Sequence, residues 1–390
     1  TTLFRSVLQP SHGCSMVSAV TDSSDANAIL IVGPGWVGDM VMAQSLCKAL
    51  KQAAPTRPID MITPPWGQAL VERMPEVRHA IPLDVAHGEL GLGRRWKLGQ
   101  ALRDRNYAQA IVLPRSAKAA LVPWVAGAPR RTGYLGEYRY GLLNDIRPLN
   151  REVHYRTVDR FVALADPPGR GDDRERSGTG TNPSSIPQPA LTSSTAQINS
   201  AIQELGLSGA WNSAGARFGT GTILTLCPGA EYGPAKRWPV EHFASLARTY
   251  IEMGWSVWML GSSKDTRITR EISGQAPGVV DLAGRTTLSQ AIDLLAASTV
   301  VVTNDSGLMH IAAATSTPLV ALYGSSDPQY TPPLSDNAQI IYRDLDCSPC
   351  FQRECPLGHL NCLRGINSQS VADAIDRALS ADADTRQSRF

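Results

Sequence analysis

A glycine-rich turn leads directly into an acidic residue early in the sequence. Its glycines are Gly33, Gly35 and Gly38. Asp39 follows at once, at the start of the helix that the sequence predicts for residues 39–53. Because a helix N-terminus favours the charged form of a carboxylate, we expect Asp39 to be ionised at neutral pH. An ionised carboxylate can accept a proton from an attacking hydroxyl group, so a general base is the functional interpretation and a favourable helix start is the alternative.

The glycine spacing also fits the G-x-G-x-x-G fingerprint of dinucleotide-binding loops. That fingerprint needs an acidic residue at the far end of the second strand, where it binds a ribose hydroxyl. The nearby acid, Asp60, lies instead at the beginning of the apolar run 59–63, and that run ends at Pro64. A dinucleotide-dependent oxidoreductase or epimerase is therefore kept only as an alternative enzyme class.

A second glycine-containing loop, residues 228–239, follows the first apolar run of the second half. It carries Gly229, Gly233 and Lys236 in front of a predicted helix. Backbone N–H groups and one fixed cation can converge on phosphate oxygens in such a loop, which predicts a diphosphate site. An ordinary surface loop with a solvated lysine is the alternative.

A third cluster lies at the end of the run 299–303 and opens a helix rich in alanine. Its residues are Asp305, Ser306, Gly307, Leu308 and His310. Small residues at a helix start let backbone N–H groups approach a phosphate, and His310 falls one turn later. Asp305 as an N-cap and His310 as a satisfied imidazole are the alternatives. Gly324 ends the next strand, at what we expect to be the same edge of the cleft.

Two further groups of residues have weaker patterns. Arg115, Ser116 and Lys118 follow a first-half strand and are candidates for an anionic acceptor, with solvated surface residues as the alternative. Near the C-terminus, the spacing C-x2-C-x4-C-x6-C is typical of a structural zinc site, and free thiols are the alternative. These cysteines are Cys347, Cys350, Cys355 and Cys362.

Short apolar runs alternate with helical stretches in both halves of the chain. In the first half the runs are 28–32, 59–63 and 110–113, and in the second half they are 222–227, 256–260, 279–282, 299–303 and 319–323. This alternation predicts the α/β class, with two doubly wound, Rossmann-like domains. Parallel sheets bind ligands at the carboxyl ends of their strands, so two such domains create a central cleft.

The organisation along the chain follows from these runs. We divide it into an N-terminal extension (1–27), a first domain (28–165), a linker or insert (166–198), a second domain (199–366) and a C-terminal helix and tail (367–390). The insert is rich in proline, glycine, serine and charge, and has no apolar periodicity. We expect the helix at 369–379 to pack back on the first domain.

Composition excludes several classes of protein. With 43% hydrophobic and 18% charged residues the chain is an ordinary globular protein, and its net charge of +2 makes nucleic acid an unsuitable partner. No apolar run is long enough to span a membrane, and residues 1–27 have no signal-peptide pattern. We therefore expect a cytosolic enzyme.

Taken together, these segments resemble the ADP-heptose:lipopolysaccharide heptosyltransferases of glycosyltransferase family 9, and most of all their heptosyltransferase II branch. The resemblance rests on the Asp39 loop, PGAEYGPAKRWP at 228–239, TNDSGLMHIAAA at 303–314, ALYGSSDP at 321–328, VLPRSAKAALVPWVAGAPRRTGY at 112–134 and RYGLLND at 139–145. It spans roughly residues 28–333 outside the insert.

The resemblance implies a GT-B architecture and an inverting transfer of heptose that requires no cofactor or metal. It also implies an ADP-heptose donor bound by the second domain and a heptosyl-Kdo2-lipid A acceptor bound by the first, with peripheral contact to the inner membrane leaflet. In this family the aspartate matching Asp39 is the base and the lysine matching Lys236 holds the donor phosphates. Gly229, Gly324 and the segment 305–310 then line the donor site, and Gly38 lies beside the acceptor. A noncatalytic nucleotide-sugar-binding protein is the alternative outside enzymes.

Overall fold

A computed structural model of the chain describes residues 27–86, 88–167, 186–208 and 222–387. The expected N-terminal extension lies outside these residues except for Asn27, as do residues 168–185 of the expected insert. Within the described residues the chain forms two parallel β-sheets of six strands each, with helices on their faces. The predicted pair of doubly wound domains is confirmed.

The first sheet is built from the shorter, N-terminal half. Its strands are β1 (Ile29–Val32), β2 (Ile59–Thr63), β3 (His79–Pro82), β4 (Gln109–Val112), β5 (Arg130–Tyr134) and β6 (Asp145–Arg147). They lie in the order β3-β2-β1-β4-β5-β6. The order reverses direction between β1 and β4, so the loop that follows β1 and leads to Asp39 leaves the sheet at its ligand-binding point.

Helices connect these strands across both faces of the sheet. These are α1 (Val37–Ala53), α2 (Gln68–Val71), α3 (Leu92–Ala101) and α4 (Leu121–Val125). Two more helices follow the last strand: α5 (Thr157–Val162), which packs on α1, and α6 (Thr195–Glu204), which packs on the helix Leu288–Ala297 of the second half. The helix α1 begins two residues before the predicted start, and its residues 40–47 are all buried. Contacts on every side of this stretch, including those with the helices Thr157–Val162 and Gly307–Ala314, fix α1 and with it Asp39.

The second sheet has the same design. Its strands are β7 (Ile223–Cys227), β8 (Ser256–Met259), β9 (Val280–Asp281), β10 (Val300–Asn304), β11 (Leu319–Tyr323) and β12 (Ala338–Tyr342). They lie in the order β12-β11-β10-β7-β8-β9. Here the direction reverses between β7 and β10. These strands precede the loop 228–239, which we call the lysine loop, and the segment 305–310.

The helices of the second half are α7 (Val240–Glu252), α8 (Thr266–Gln275), α9 (Leu288–Ala297), α10 (Gly307–Ala314), α11 (Asn361–Arg364) and α12 (Ser368–Gln387). The helix α12 packs on α7 and on β11 and β12, with Val371, Ala374 and Ile375 in the core of the second half. The expectation that this helix returns to the first domain was wrong. Its apolar side packs on the second sheet next to α7.

The segment 186–194 passes between the two halves, although composition indicated an insert that buries little surface. Its backbone bonds to both sides: Leu191 N–H donates to the carbonyl of Ala314 (2.8 Å), and Thr192 N–H donates to the carbonyl of Arg73 (2.9 Å). Ile186 and Leu191 are buried in the core that spans both halves. Backbone hydrogen bonds order this stretch, and such bonds cannot be inferred from amino-acid composition.

Candidate functional site

Asp39 lies on the first turn of α1, facing the second half of the molecule. Burial raises the pKa of Asp39 to about 6, and the charge of Lys236 opposes this rise. The loss of water on burial is the largest influence on this pKa. With a pKa near 6 the carboxyl is still largely ionised at pH 7.

The lysine loop and the end of β10 form an ion pair beside Asp39. The ammonium of Lys236 donates to Asp305 Oδ2 at 2.5 Å, and the hydroxyl of Ser326 donates to the same oxygen at 2.5 Å. Lys236 also lies 5.0 Å from the ring centre of Tyr232. Asp305 is buried, so the pair has little access to water. Asp305 is not the N-cap of α10, because Ser306 occupies that position.

A buried amide joins the two loops that carry this pair. Asn304 donates from Nδ2 to the carbonyl of Pro228 (2.8 Å) and accepts at Oδ1 from the backbone N–H of Trp238 (3.0 Å). The indole of Trp238 donates in turn to the carbonyl of Ile366. These bonds hold the lysine loop at a fixed distance from the start of α10. Asn304 and Ser326 carry no individual signal in the sequence beyond lying inside the segments already singled out.

The two halves meet where α1 and α10 begin. A Cβ atom on Gly38 would lie 2.5 Å from Cδ2 of His310, and one on Gly307 would lie 2.8 Å from Cβ of Val37. Both distances are shorter than any ordinary contact, so only glycine permits this approach. The contact places Gly38, the neighbour of Asp39, directly against the predicted donor site.

His310 is buried at this contact. Burial lowers its pKa to about 4, against the opposing influence of Asp305, so the imidazole is neutral at physiological pH. Two helix N-termini, each with partial positive charge, therefore meet beside Lys236. The carboxylates of Asp39 and Asp305 are the negative groups here. Such a place suits a ligand that brings phosphate oxygens and a hydroxyl group together.

The remaining predicted donor residues surround this centre. Ser306 and Leu308 are half-buried at the start of α10. Gly229 and Gly324 have packing contacts: a Cβ atom on Gly229 would lie 2.5 Å from the carboxyl carbon of Asp265, and one on Gly324 would lie 2.6 Å from Cγ of Leu363. Direct contact of these two glycines with a donor stays a prediction.

The predicted acceptor residues lie at the same edge of the first sheet as Asp39. The strands β1 and β4 are neighbours, and Leu113 N–H donates to the carbonyl of Val32 (3.2 Å), so the loop after β4 starts beside the Asp39 loop. In that loop Arg115 is exposed and Ser116 is half-buried. Lys118 donates to the carbonyl of Glu89 at 2.9 Å. Contact with an acceptor stays a prediction for all three.

A buried arginine that the sequence did not single out supports this loop. Arg139 donates to the carbonyls of Pro114 (2.6 Å), Ser116 (3.2 Å) and Tyr134. Burial lowers the pKa of Arg139 to about 10, so it remains charged. Its guanidinium joins the loop after β4 to the end of β5, and thereby sets the position from which Arg115 and Lys118 extend.

The four C-terminal cysteines line one small pocket behind the lysine loop, together with Ala235 and Ser325. The backbone of this cysteine loop bonds to the lysine loop, since Ala235 N–H donates to the carbonyl of Arg353 at 3.0 Å. Across the described ranges, no group of three or more His, Cys, Asp or Glu side chains is arranged to hold a metal ion. The zinc site therefore stays a prediction, which metal analysis of the purified chain can test.

A buried ion pair between the halves was also missed by sequence reasoning. Arg73, which follows α2, bonds through both terminal nitrogens to the carboxylate of Asp293 on α9, at 2.7 and 2.9 Å. The same guanidinium donates to Ser289 Oγ and to the carbonyl of Thr192. Both charged side chains are buried. Because the partners lie far apart in the chain, no local pattern could have paired them.

None of the helices within the described residues has the length and apolar character needed to cross a bilayer. This agrees with the sequence, in which apolar runs are short.

The chain is similar to known proteins along most of its length. The family model described as glycosyltransferase family 9 (heptosyltransferase) matches residues 95–361. The chain is 45% identical over 356 residues to lipopolysaccharide heptosyltransferase 2 of Escherichia coli (strain K12), which covers 90% of this chain and 98% of the relative. It is 46% identical over 323 residues to lipooligosaccharide heptosyltransferase 2 of Haemophilus influenzae. This match covers 80% of this chain and 88% of the relative.

Solved structures give the same result. The structure described as E. coli ADP-heptose lps heptosyltransferase II has a TM-score of 0.77 and 40% identity, and covers 91% of this chain and 99% of its own. A family 9 glycosyltransferase from Veillonella parvula DSM 2008 shares the fold, with a TM-score of 0.75 at 20% identity, covering 91% and 98%. The chain thus has the GT-B architecture, is a glycosyltransferase, and belongs to glycosyltransferase family 9.

Proposed function

We propose that this enzyme transfers L-glycero-D-manno-heptose from ADP-heptose to the heptosyl-Kdo2-lipid A inner core of lipopolysaccharide, with inversion at the anomeric carbon. Membership of the family and the names of its relatives support the class of donor and acceptor. One observation carries the assignment of roles. The carboxyl of Asp39 in the first half lies close enough to Lys236 in the second half for the lysine to shift its pKa.

The reaction is a single displacement. Asp39 accepts the proton of an acceptor hydroxyl as that oxygen attacks the anomeric carbon of the donor heptose. The bond between the anomeric carbon and the phosphate oxygen breaks, and the electron pair leaves with ADP. Because attack and departure occur on opposite faces of the sugar, one displacement inverts the configuration.

The leaving diphosphate is stabilised by groups that are already in place. Lys236 supplies a cation, and the N-terminus of α10 supplies backbone N–H groups and a positive dipole. Asp305 holds Lys236 in position, and Ser326 orients Asp305. These positive groups support our prediction that no metal is required, and unchanged turnover in the presence of excess chelator is the expected result.

On the acceptor side, we propose that Arg115, Ser116 and Lys118 contact the phosphate or carboxylate groups of the inner core. They lie at the edge of the first sheet from which Asp39 emerges. The acceptor is a glycolipid, so the enzyme works at the cytoplasmic face of the inner membrane. Gly38 lies between the two substrates in this arrangement, against His310 of the donor side.

The decisive experiment incubates the full chain with ADP-heptose and defined truncated glycolipid cores and measures product mass. The expected product is the acceptor plus one heptose, formed only from cores that end in heptose. Asp39→Asn is expected to abolish this product while ADP still raises the melting temperature. Unchanged turnover of Asp39→Asn would remove the mechanism, and unchanged activity in cells would favour a nucleotide-sugar-binding protein. Stabilisation by NAD(P) instead of ADP would favour an oxidoreductase or epimerase.

A further inference from the structure

Large apolar side chains lie exposed on one side of the first half. They are Leu90 (62% exposed), Leu92 (55%), Trp96 (44%) and Trp124 (44%), and we call them the α3–α4 face. The rings of Trp96 and Trp124 lie 6.2 Å apart, centre to centre. A group of exposed tryptophans and leucines on neighbouring elements is uncommon for a surface that contacts only water.

The α3–α4 face is a single rigid surface. Leu92 and Trp96 are four residues apart on α3 and therefore lie on the same side, next to Arg95 and Gly99, which are buried against the rest of the domain. Gly99 packs so closely on α4 that a Cβ atom there would lie 2.5 Å from Cβ of Val125. The exposed rings are thus held by helix packing and do not depend on a free loop.

The loop before α3 is tied to the same surface. Lys118 donates to the carbonyl of Glu89 at 2.9 Å, and Arg95 donates from Nε to the carbonyl of Leu90 at 2.9 Å. These two bonds join Leu90 to the helices that carry the tryptophans. The face is therefore continuous from the loop to α4.

The charge of this region differs from that of the whole chain. Residues 89–125 contain seven Lys or Arg residues and two acidic residues, whereas the chain as a whole has a net charge of +2. Two of the seven do not contribute free charge to the face, because Arg95 is buried and Arg105 pairs with the buried Asp60. Arg94 and Lys97 are exposed on α3 beside Trp96. Glu89, one of the two acids, is paired with Arg94. Exposed aromatic and leucine side chains surrounded by basic residues have the composition of a surface that enters an anionic lipid interface.

The position of the face fits such a role. The helix α3 runs from β3 to β4, and α4 follows β4, whose neighbour β1 leads to Asp39. The N-terminal end of α3 and the segment 117–120 therefore lie toward the sheet edge where an acceptor sugar must reach Asp39. A lipid held at this face can present its head group to that edge.

We propose that the α3–α4 face docks on the surface of an anionic lipid bilayer, with Leu92, Trp96 and Trp124 in the interfacial layer and the basic residues at the head groups. The inference rests on the proposed function, which supplies a lipid-anchored acceptor. Lipid is the occupant that both features fit, since the apolar side chains alone would suit many partners whereas the excess of basic residues selects an anionic one.

The test measures co-sedimentation of the full chain with vesicles of phosphatidylethanolamine and phosphatidylglycerol, and with vesicles of phosphatidylcholine. We expect binding to the anionic vesicles that weakens at high salt, and at least a roughly tenfold loss of binding in Trp96→Ser/Trp124→Ser. Met253→Ser is the matched control, because Met253 is 66% exposed in the second half. It should bind vesicles like the unchanged protein.

A second measurement separates docking from catalysis and from folding. Trp96→Ser/Trp124→Ser should keep its stabilisation by ADP and its transfer to a deacylated, water-soluble core acceptor, while losing transfer to acceptor embedded in vesicles. Equal vesicle binding by the double variant and the unchanged protein would overturn the proposal, as would self-association that the double variant abolishes. Failure of transfer to every acceptor, with vesicle binding intact, would refute the proposed function and leave docking supported.

Discussion

At the scale of single residues, the site depends on the protonation of Asp39. Its pKa of about 6 lies above the ordinary value of 3.8 because the carboxyl is buried. A base with a pKa just below working pH combines a large ionised fraction with useful proton affinity. A residue that had lost less water would be ionised more completely but would be a weaker base.

The first prediction concerns pH. We expect kcat/KM to rise with pH along a limb with a midpoint near 6, since Asp39 must be ionised to accept the proton. Steady-state rates from pH 5 to 8 measure this limb. A limb near pH 4, or none, would show that another group limits the reaction.

The raised pKa of Asp39 also affects the stability of the folded chain. Between pH 4 and 6 the folded chain binds more protons at Asp39 than the unfolded chain, so this residue's contribution to stability falls as pH rises through that window. Asp39→Asn removes the buried charge. It should therefore melt at a higher temperature than the unchanged protein at pH 7.5, while turnover is lost. The pairing of lost activity with gained stability is typical of a functional group held against its solvation preference.

The second prediction concerns Lys236. We expect Lys236→Gln to weaken ADP binding by about 10- to 100-fold, because a charge-assisted hydrogen bond is worth about 1.5–3 kcal/mol. Isothermal titration measures the affinity. Lys264→Gln is the control. Lys264 is exposed, and it pairs with Glu231, which belongs to the lysine loop. Similar losses in both variants would mean that general positive charge, and not the position of Lys236, binds the nucleotide.

At the scale of elements, the contact between α1 and α10 sets how closely the halves approach. A Cβ atom on Gly307 would lie 2.8 Å from Cβ of Val37 and 3.0 Å from Cγ1. Neither atom is the end of a long, flexible side chain, so the helices must separate to make room. Asp39 and Lys236 sit on the two sides of this contact and would separate with them.

The third prediction follows from that contact. Gly307→Ala should lower kcat by about tenfold or more, because small displacements of reacting groups are costly. The helix preference of alanine should offset only part of the stability that is lost when this contact opens, so its melting temperature should fall modestly. Gly274→Ala is the control: it lies in α8, and a Cβ atom there would meet nothing within 4 Å. Normal turnover in Gly307→Ala would show that catalysis does not need this approach.

Much of the element pattern was readable from the sequence. The bounds of β2 and β11 agree with prediction because each apolar run ends at a clear break, at Pro64 and at Gly324. The strands β5 (RRTGY) and β6 (DIR) were missed, since they lie toward the edge of the sheet and are polar. The helix α3 was missed for a related reason, because its exposed leucine and tryptophan obscure the amphipathic pattern.

The candidate site was readable only in part. Asp39, Lys236, Asp305 and His310 each follow a strand of a doubly wound sheet, and the topology brings such loops together. The direction of the Asp39 pKa shift was not readable, because burial depends on the opposite half of the molecule. Arg139 was not readable either, since a lone arginine in a polar loop has no pattern that marks it as buried.

At the scale of the whole molecule, the pair of Arg73 and Asp293 attaches one half to the other. The pair is buried and bidentate, and Ser193 adds a hydrogen bond to the same carboxylate. It lies on α9 and next to α2, away from the contact of α1 and α10. The two halves are thus joined here as well as at the contact of α1 and α10.

The fourth prediction tests this attachment. Arg73→Met should lower stability by about 3–5 kcal/mol, because it leaves Asp293 charged and buried without its partner. Urea unfolding measures the loss. Arg73→Met/Asp293→Leu should recover part of it, whereas Glu231→Gln, which breaks an exposed pair, should cost less than about 1 kcal/mol. Equal costs for the buried and exposed pairs would refute the attachment.

The meeting of two helix N-termini beside Lys236 has a consequence for energetics at a distance. An anion bound there interacts with partial positive charges of both halves. Its binding free energy therefore includes the free energy of bringing the two halves together. Nucleotide affinity should then respond to residues that never touch the nucleotide. We expect Arg73→Met to bind ADP more weakly than the unchanged enzyme at a temperature where both are folded, because loss of the pair lets the two halves move relative to each other. Identical affinities would mean that the diphosphate recognises one half alone.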